Sequence, residues 1–134
     1  MIDKILLNQA ILSVESTVRD AIFSLELSGL QVVIVVDHNS ILLGMITDGD
    51  IRRGFMRGHD LDAGVENIMA TSPLVVDVTT PRQEAVKLMI AHKIHHIPIV
   101  DGESRFVDMY LLGDVYAKVK FNNTVVIMAG GVGK

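Results

Sequence analysis

The sequence contains no cysteine and no tryptophan, and only 4% of its residues are aromatic. Without cysteine there is no disulfide, no thiolate metal ligand and no thiol nucleophile. That usage is compatible with a reducing compartment, and a cytoplasmic location is expected. Without large aromatics the core must be built from Val, Ile, Leu and Met. Excess positive charge is also missing: 12 Lys and Arg stand against 16 Asp and Glu, a formal net charge of −4. No basic stripe interleaved with stacking aromatics is present, which argues against a nucleic-acid partner. The apolar run Val32 to Val36 is far too short to cross a bilayer. Met1 to Ser13 lacks a basic segment followed by an apolar core. Neither a membrane partner nor a signal peptide is therefore expected.

What is present is a substantial aliphatic content, 49% hydrophobic over 134 residues, and an internal repeat. At an offset of 64 residues, Val14 meets Val78, Ala21 meets Ala85, and Val36 and Asp37 meet Val100 and Asp101. Ser40 meets Ser104, Met45 meets Met109, and Gly49 and Asp50 meet Gly113 and Asp114. No gap is needed between Leu12 and Ile51. A two-copy repeat of this size points to a pseudo-symmetric pair rather than a solenoid.

Each copy reads as strand, helix, strand, strand, helix. In the first, 10–14 is a short strand. Thr17 and Asp20 have capping-box spacing, Val18, Ala21, Ile22 and Leu25 recur at helical intervals, and Gly29 is a stop. A β-branched run over 31–36, turn chemistry over 37–40 and a return strand over 41–46 lead into a helix over 48–56. In the second, 74–78 is the strand. Thr80 is expected to cap the next helix, with Pro81 at its first position and Gln83 reaching back. Ala85, Leu88, Met89 and His92 are expected to line one side of it. A hairpin over 96–100 and 105–111 and a helix over 113–121 complete the copy. The expected organisation is repeat one over 5–58, a linker over 59–73, repeat two over 74–121, and the start of a further domain over 122–134.

Two motifs sit in register with the repeat: Gly44-Met45-Ile46-Thr47-Asp48-Gly49-Asp50-Ile51, and His95-His96-Ile97-Pro98-Ile99-Val100-Asp101. Together with the duplication they resemble the tandem cystathionine-β-synthase (CBS) domain pair, or Bateman module. The resemblance implies an α/β fold of two β-α-β-β-α repeats, packed face to face as a pseudo-two-fold pair with clefts between them. It further implies a homodimer and a regulatory adenine-nucleotide ligand (AMP, ADP or ATP), with S-adenosylmethionine as another possibility. On the matching positions, Thr47 and Asp50 would hold the ribose. Ser13, Val14, Leu30, Gln31 and Val32 would line the adenine slot. Arg52, Arg53, His95 and His96 are the candidates for the phosphates. In the second copy Asp114 matches Asp50, but Leu111 replaces Thr47 and Asp108 replaces Gly44, so one competent and one weak or empty cleft are expected.

The residues themselves support this chemistry and also a plainer one. A carboxylate at a helix N-terminus accepts both ribose hydroxyls, and the amides and dipole there favour an adjacent anion. Thr47-x-x-Asp50 equally spells an ordinary capping box, and Val14, Leu30 and Val32 equally suit a core. His92, His95 and His96 would share a face only on a continuous helix. Ile97-Pro98 begins a strand, so no metal site is expected. No nucleophile–base pair is visible, and the chain is expected to be neither an enzyme nor a holder of a resident cofactor.

A second resemblance lies in 124–134. A strand, Thr124-Val125-Val126-Ile127, runs into Met128-Ala129-Gly130-Gly131-Val132-Gly133-Lys134. This is similar to the opening of a sugar-phosphate nucleotidyltransferase, where a Gly-rich loop wraps a nucleoside triphosphate. A Walker loop needs Gly where Met128 stands. The resemblance implies a regulatory module fused to such a transferase; the rival reading is a ligand-free structural dimerisation module of the same enzyme.

Overall fold

A computed structural model describes residues 4–112. A short helix, α1 (Lys4–Gln9), is followed by β1 (Ile11–Ser13), α2 (Val18–Ser28), β2 (Val33–Val36), β3 (Leu42–Ile46) and α3 (Asp48–Met56). The second copy supplies β4 (Val76–Asp77), α4 (Arg82–His92), β5 (His96–Val100) and β6 (Phe106–Leu111). Each copy forms a three-stranded sheet, β1-β2-β3 or β4-β5-β6, with one parallel and one antiparallel pair. The strand-helix-strand-strand part of the expected α/β repeat is thus present twice, with the closing helix described in the first copy. The helix expected over 113–121, Asp114 and the segment 122–134 lie outside the described residues.

Strand periodicity decides what each side chain faces. Val33, Val35 and Ile46 pack with Val18, Ala21 and Ile51 of their own copy's helices. Val32, Ile34 and Met45 form the opposite cluster, joined by Leu7 of α1 and Met109 of β6, with Phe106 and Leu111 packed against it. The two sheets therefore share a core. Fully buried Val32 and Ile34 each contribute about 1.5–3 kcal/mol relative to exposure. By the same offset, His96 and Pro98 occupy the positions of Val32 and Ile34, while Ile97 and Ile99 join Ala85 and Met89 in the second copy's own core.

The two copies differ at their first strands for a covalent reason. Ile34 N–H donates to the Ala10 carbonyl at 2.7 Å. The equivalent Pro98 has no N–H, so no such bond reaches Leu74. The strand expected over 74–78 contracts to Val76–Asp77, and Pro73 and Leu74 are left outside the ladder.

Helix α2 begins and ends as its sequence dictates. Thr17 Oγ1 accepts from Asp20 N–H at 3.3 Å, Asp20 Oδ2 accepts from Thr17 N–H at 3.0 Å, and Gly29 closes the helix at φ 67°. Helix α4 begins otherwise than expected. Pro81 is its N-cap, and the Thr80 hydroxyl instead donates to Asp77 Oδ1 at 3.2 Å. Asp77 also accepts from the Thr79 hydroxyl and N–H. These bonds hold its carboxyl below the usual carboxylate range, and Gln83 is left exposed. His92 is exposed in the last turn of α4.

The segment between the copies is packed onto the first. Val65 and Ile68 enter its core, and Met45 and Ala70 exchange backbone hydrogen bonds at 3.0 and 2.8 Å. Glycines make room for it. A Cβ on Gly44 would lie 2.7 Å from the Ala70 carbonyl oxygen, and one on Gly54 2.5 Å from Ile68 Cγ2. Across the pseudo-symmetric turns, Leu42 N–H donates to the Ser104 carbonyl and Phe106 N–H to the Ser40 carbonyl.

Candidate functional site

Helix α3 starts directly where β3 ends. Thr47 is its extended N-cap, and Asp50 in the first turn folds back on it. Asp50 Oδ2 accepts from Thr47 N–H at 2.9 Å and from the Thr47 hydroxyl at 3.1 Å. Asp50 Oδ1 accepts from Arg53 Nη2 at 2.9 Å. The carboxylate-to-cap geometry reproduces that of Thr17 and Asp20 at α2. The surroundings differ, because the Asp50 carboxylate borders a cavity.

That cavity measures about 470 Å³ and is built from both copies, a size in the range of small-molecule sites. The first copy supplies Gln31, Met45, Thr47, Asp48, Gly49 and Asp50; the second supplies Lys93, Ile94, His95 and His96. The packed connecting segment supplies Ala70, Pro73 and Leu74. The site therefore offers a carboxylate with a threonine at a helix N-terminus, apolar surface from Met45, Leu74 and Ile94, and a lysine with two imidazoles from the opposite copy.

His96 also ties the copies together. Its Nε2 lies 3.1 Å from the Leu30 carbonyl oxygen, to which only a protonated nitrogen can donate, so the neutral ring carries its proton on Nε2. Burial pushes the imidazole below its usual range. The Leu30 bond opposes that shift, and the charge of His95 adds to it. Lys93 is the C-cap of α4 in the left-handed region, φ 57°; its equivalent in the first copy is Gly29 at φ 67°. Gln31 is left-handed as well, φ 68°; the strand expected over 31–36 begins only at Val33, and Gln31 is left on the cavity.

Of the residues singled out from the sequence, the structure brings Thr47, Asp50, Gln31, His95 and His96 to this one cavity. Leu30 stands beside it through its carbonyl. Val32 is fully buried in the shared core, and Val14 packs against the first copy's core. Ser13 is exposed, its hydroxyl oxygen accepting from Glu15 N–H at 3.1 Å. Arg52 is exposed on α3, and Arg53 bonds Asp50 rather than lining the space. Asp114 lies outside the described residues. Sequence reasoning missed Lys93, Asp48 and the Pro73–Leu74 stretch. The repeat offset held the signal for Lys93, since it aligns with a glycine that ends a helix. Among the described residues no cluster of His, Asp and Glu is arranged to hold a metal ion, and no helix is long and apolar enough to cross a membrane.

Comparison with known proteins agrees with this architecture. The CBS domain family model matches residues 5–57 and 65–120. Arabinose 5-phosphate isomerase GutQ of Salmonella typhi is 30% identical over 101 residues, covering 75% of this chain and 32% of the relative. Inosine-5'-monophosphate dehydrogenase of Methanocaldococcus jannaschii is 28% identical over 120 residues, covering 89% of this chain and 23% of the relative. The chain thus spans a third or less of these curated relatives. Among solved structures, the CBS domain protein PAE2072 from Pyrobaculum aerophilum, complexed with AMP, superposes with a TM-score of 0.70 at 22% identity, covering 78% of this chain and 81% of that one.

Proposed function

The chain belongs to the CBS domain family as a tandem pair, and on that premise we propose that it is a regulatory module binding an adenine nucleotide between its repeats. One observation carries this reading: a single cavity joins the Thr47/Asp50 helix start of one copy to Lys93, His95 and His96 of the other. In the proposed complex the ribose hydroxyls donate to Asp50, whose carboxylate borders the cavity. The adenine lies against Met45, Leu74 and Ile94, and the phosphate meets the amides at the start of α3 and the basic groups opposite. The AMP held by the PAE2072 relative supports the ligand class.

Regulation then follows from linkage. A nucleotide that contacts both copies favours the arrangement in which they close on it, and shifts whatever equilibrium that arrangement governs. The controlled partner is proposed to be a sugar-phosphate nucleotidyltransferase in the same polypeptide. That assignment rests on the resemblance of 124–134 alone, since the curated relatives carry isomerase and dehydrogenase names. A homodimer in the cytoplasm completes the proposal. Phe23 and Leu27, one helical turn apart on α2 and each 63% exposed, offer an apolar association surface. They also favour the second reading, a ligand-free dimerisation module in which Asp50 serves only as a cap.

Thermal denaturation with added nucleotide separates the two. Saturating ligand at a hundred times its Kd stabilises the folded state by about 2.7 kcal/mol. AMP or another adenine nucleotide is expected to raise Tm while GTP does not. No shift with any of them leaves the dimerisation module.

A further inference from the structure

We propose that Lys93 is the phosphate-recognising residue of this cavity, and that the cavity selects a nucleoside monophosphate over di- and triphosphates. This rests on the cavity being the nucleotide site.

The first observation is conformational. The left-handed region is costly for a residue with a Cβ and is the ordinary place for glycine at a helix end. The first copy has Gly29 there, and the second has Lys93 at nearly the same φ, 67° against 57°. A lysine held in that conformation spends stability that a glycine would not. Such a backbone outlier invites a functional explanation.

The second observation is the company it keeps. Lys93 lines the cavity, and among the described residues no salt bridge holds its ammonium group. Among the described residues, the other fixed charges on the lining are Asp48 and Asp50. Asp50 is compensated by Arg53 at 2.9 Å. Asp48 has no salt-bridge partner among the described residues. Burial favours the neutral form of His96, and its Nε2 proton is engaged by the Leu30 carbonyl. The lining thus presents one permanent cation to an anion and one uncompensated carboxylate. A single phosphate is matched by Lys93 and the α3 amides. Each further phosphate adds negative charge that meets no second Lys or Arg among the described residues of the lining and must share the space with Asp48. Asp48 is exposed, so one such like-charge encounter is screened by water and weakens binding by roughly fivefold at contact distance.

The test is calorimetric titration of the chain with adenosine, AMP, ADP and ATP, all without divalent cations, which would screen the extra phosphates. It is repeated on Lys93→Gly, which places in the second copy the residue that the first already has. The variant is expected to keep or raise Tm, because glycine suits the conformation. Affinity is expected to fall in the order AMP, ADP, ATP by roughly fivefold per step. In Lys93→Gly the preference for AMP over adenosine should collapse to within about twofold, with adenosine binding unchanged. ATP binding as tightly as AMP, or an unchanged AMP preference in the folded variant, overturns the assignment while leaving the cavity a nucleotide site. No binding by any of the four overturns both.

Discussion

His96 Nε2 and the Leu30 carbonyl oxygen meet at 3.1 Å across the boundary between the copies. The bond joins a side chain of the second repeat to the backbone of the first, beside the cavity. It predicts a pH dependence. The His96 pKa is lowered in the fold, chiefly by burial, so the unfolded chain binds this proton more readily. Below the unfolded value, about 6.5, stability falls as pH falls, and above it the contribution is constant. Tm should therefore be lower at pH 5 than at pH 7.5. His96→Leu should reduce that difference. It should also lower Tm at pH 7.5, because the Leu30 carbonyl loses its donor, a loss of about 1–3 kcal/mol. Melting curves of both proteins at the two pH values check this.

The shared core predicts a second effect. Met109 belongs to the second copy but is buried among Val32, Ile34 and Met45 of the first. Met109→Ala should cost about 2–5 kcal/mol and loosen the copies from each other. Chemical denaturation followed by hydrogen exchange would show the loss, with amides of both sheets exchanging faster.

Gly44 predicts a third. Its Cβ position is filled by the Ala70 carbonyl at 2.7 Å and Met69 Sδ at 2.8 Å. Gly44→Ala must push the connecting segment outward, at a cost of about 1–3 kcal/mol. Because Ala70, Pro73 and Leu74 line the cavity, nucleotide affinity should fall with stability. Titration and melting of the same variant measure both.

Much of this was legible in the chain. The 64-residue offset carries the pairing of copies, the Thr17/Asp20 and Thr47/Asp50 spacings carry two helix starts, and the expected bounds of α3 and β5 are those observed. What remained hidden depends on contacts distant in sequence. Val65 and Ile68 read as a short apolar piece within a polar linker, and only the packing against the room left by Gly44 and Gly54 shows that they join the first core. Helix α1 has only six residues, too few for a helical period to show. The Thr80 cap failed to form because Asp77 claims that hydroxyl. Gln31 and Lys93 reach the cavity through left-handed backbone that residue type alone does not advertise. The cavity itself joins residues such as Asp50 and His95, which approach only after the two sheets have packed.

The repeated capping geometry supplies an internal control. Asp20→Ala and Asp50→Ala each remove a carboxylate that accepts from its N-cap backbone. Each should destabilise by about 0.5–2 kcal/mol, read as similar losses of Tm.

The most direct test of the central claim is calorimetric titration of AMP into the wild-type chain, Asp20→Ala and Asp50→Ala, each confirmed folded. The account predicts saturable binding near one site per chain for the wild type and Asp20→Ala, and none for Asp50→Ala at the same concentrations. Equal binding by all three, or no binding by the wild type, would contradict it and leave Asp50 as a helix cap.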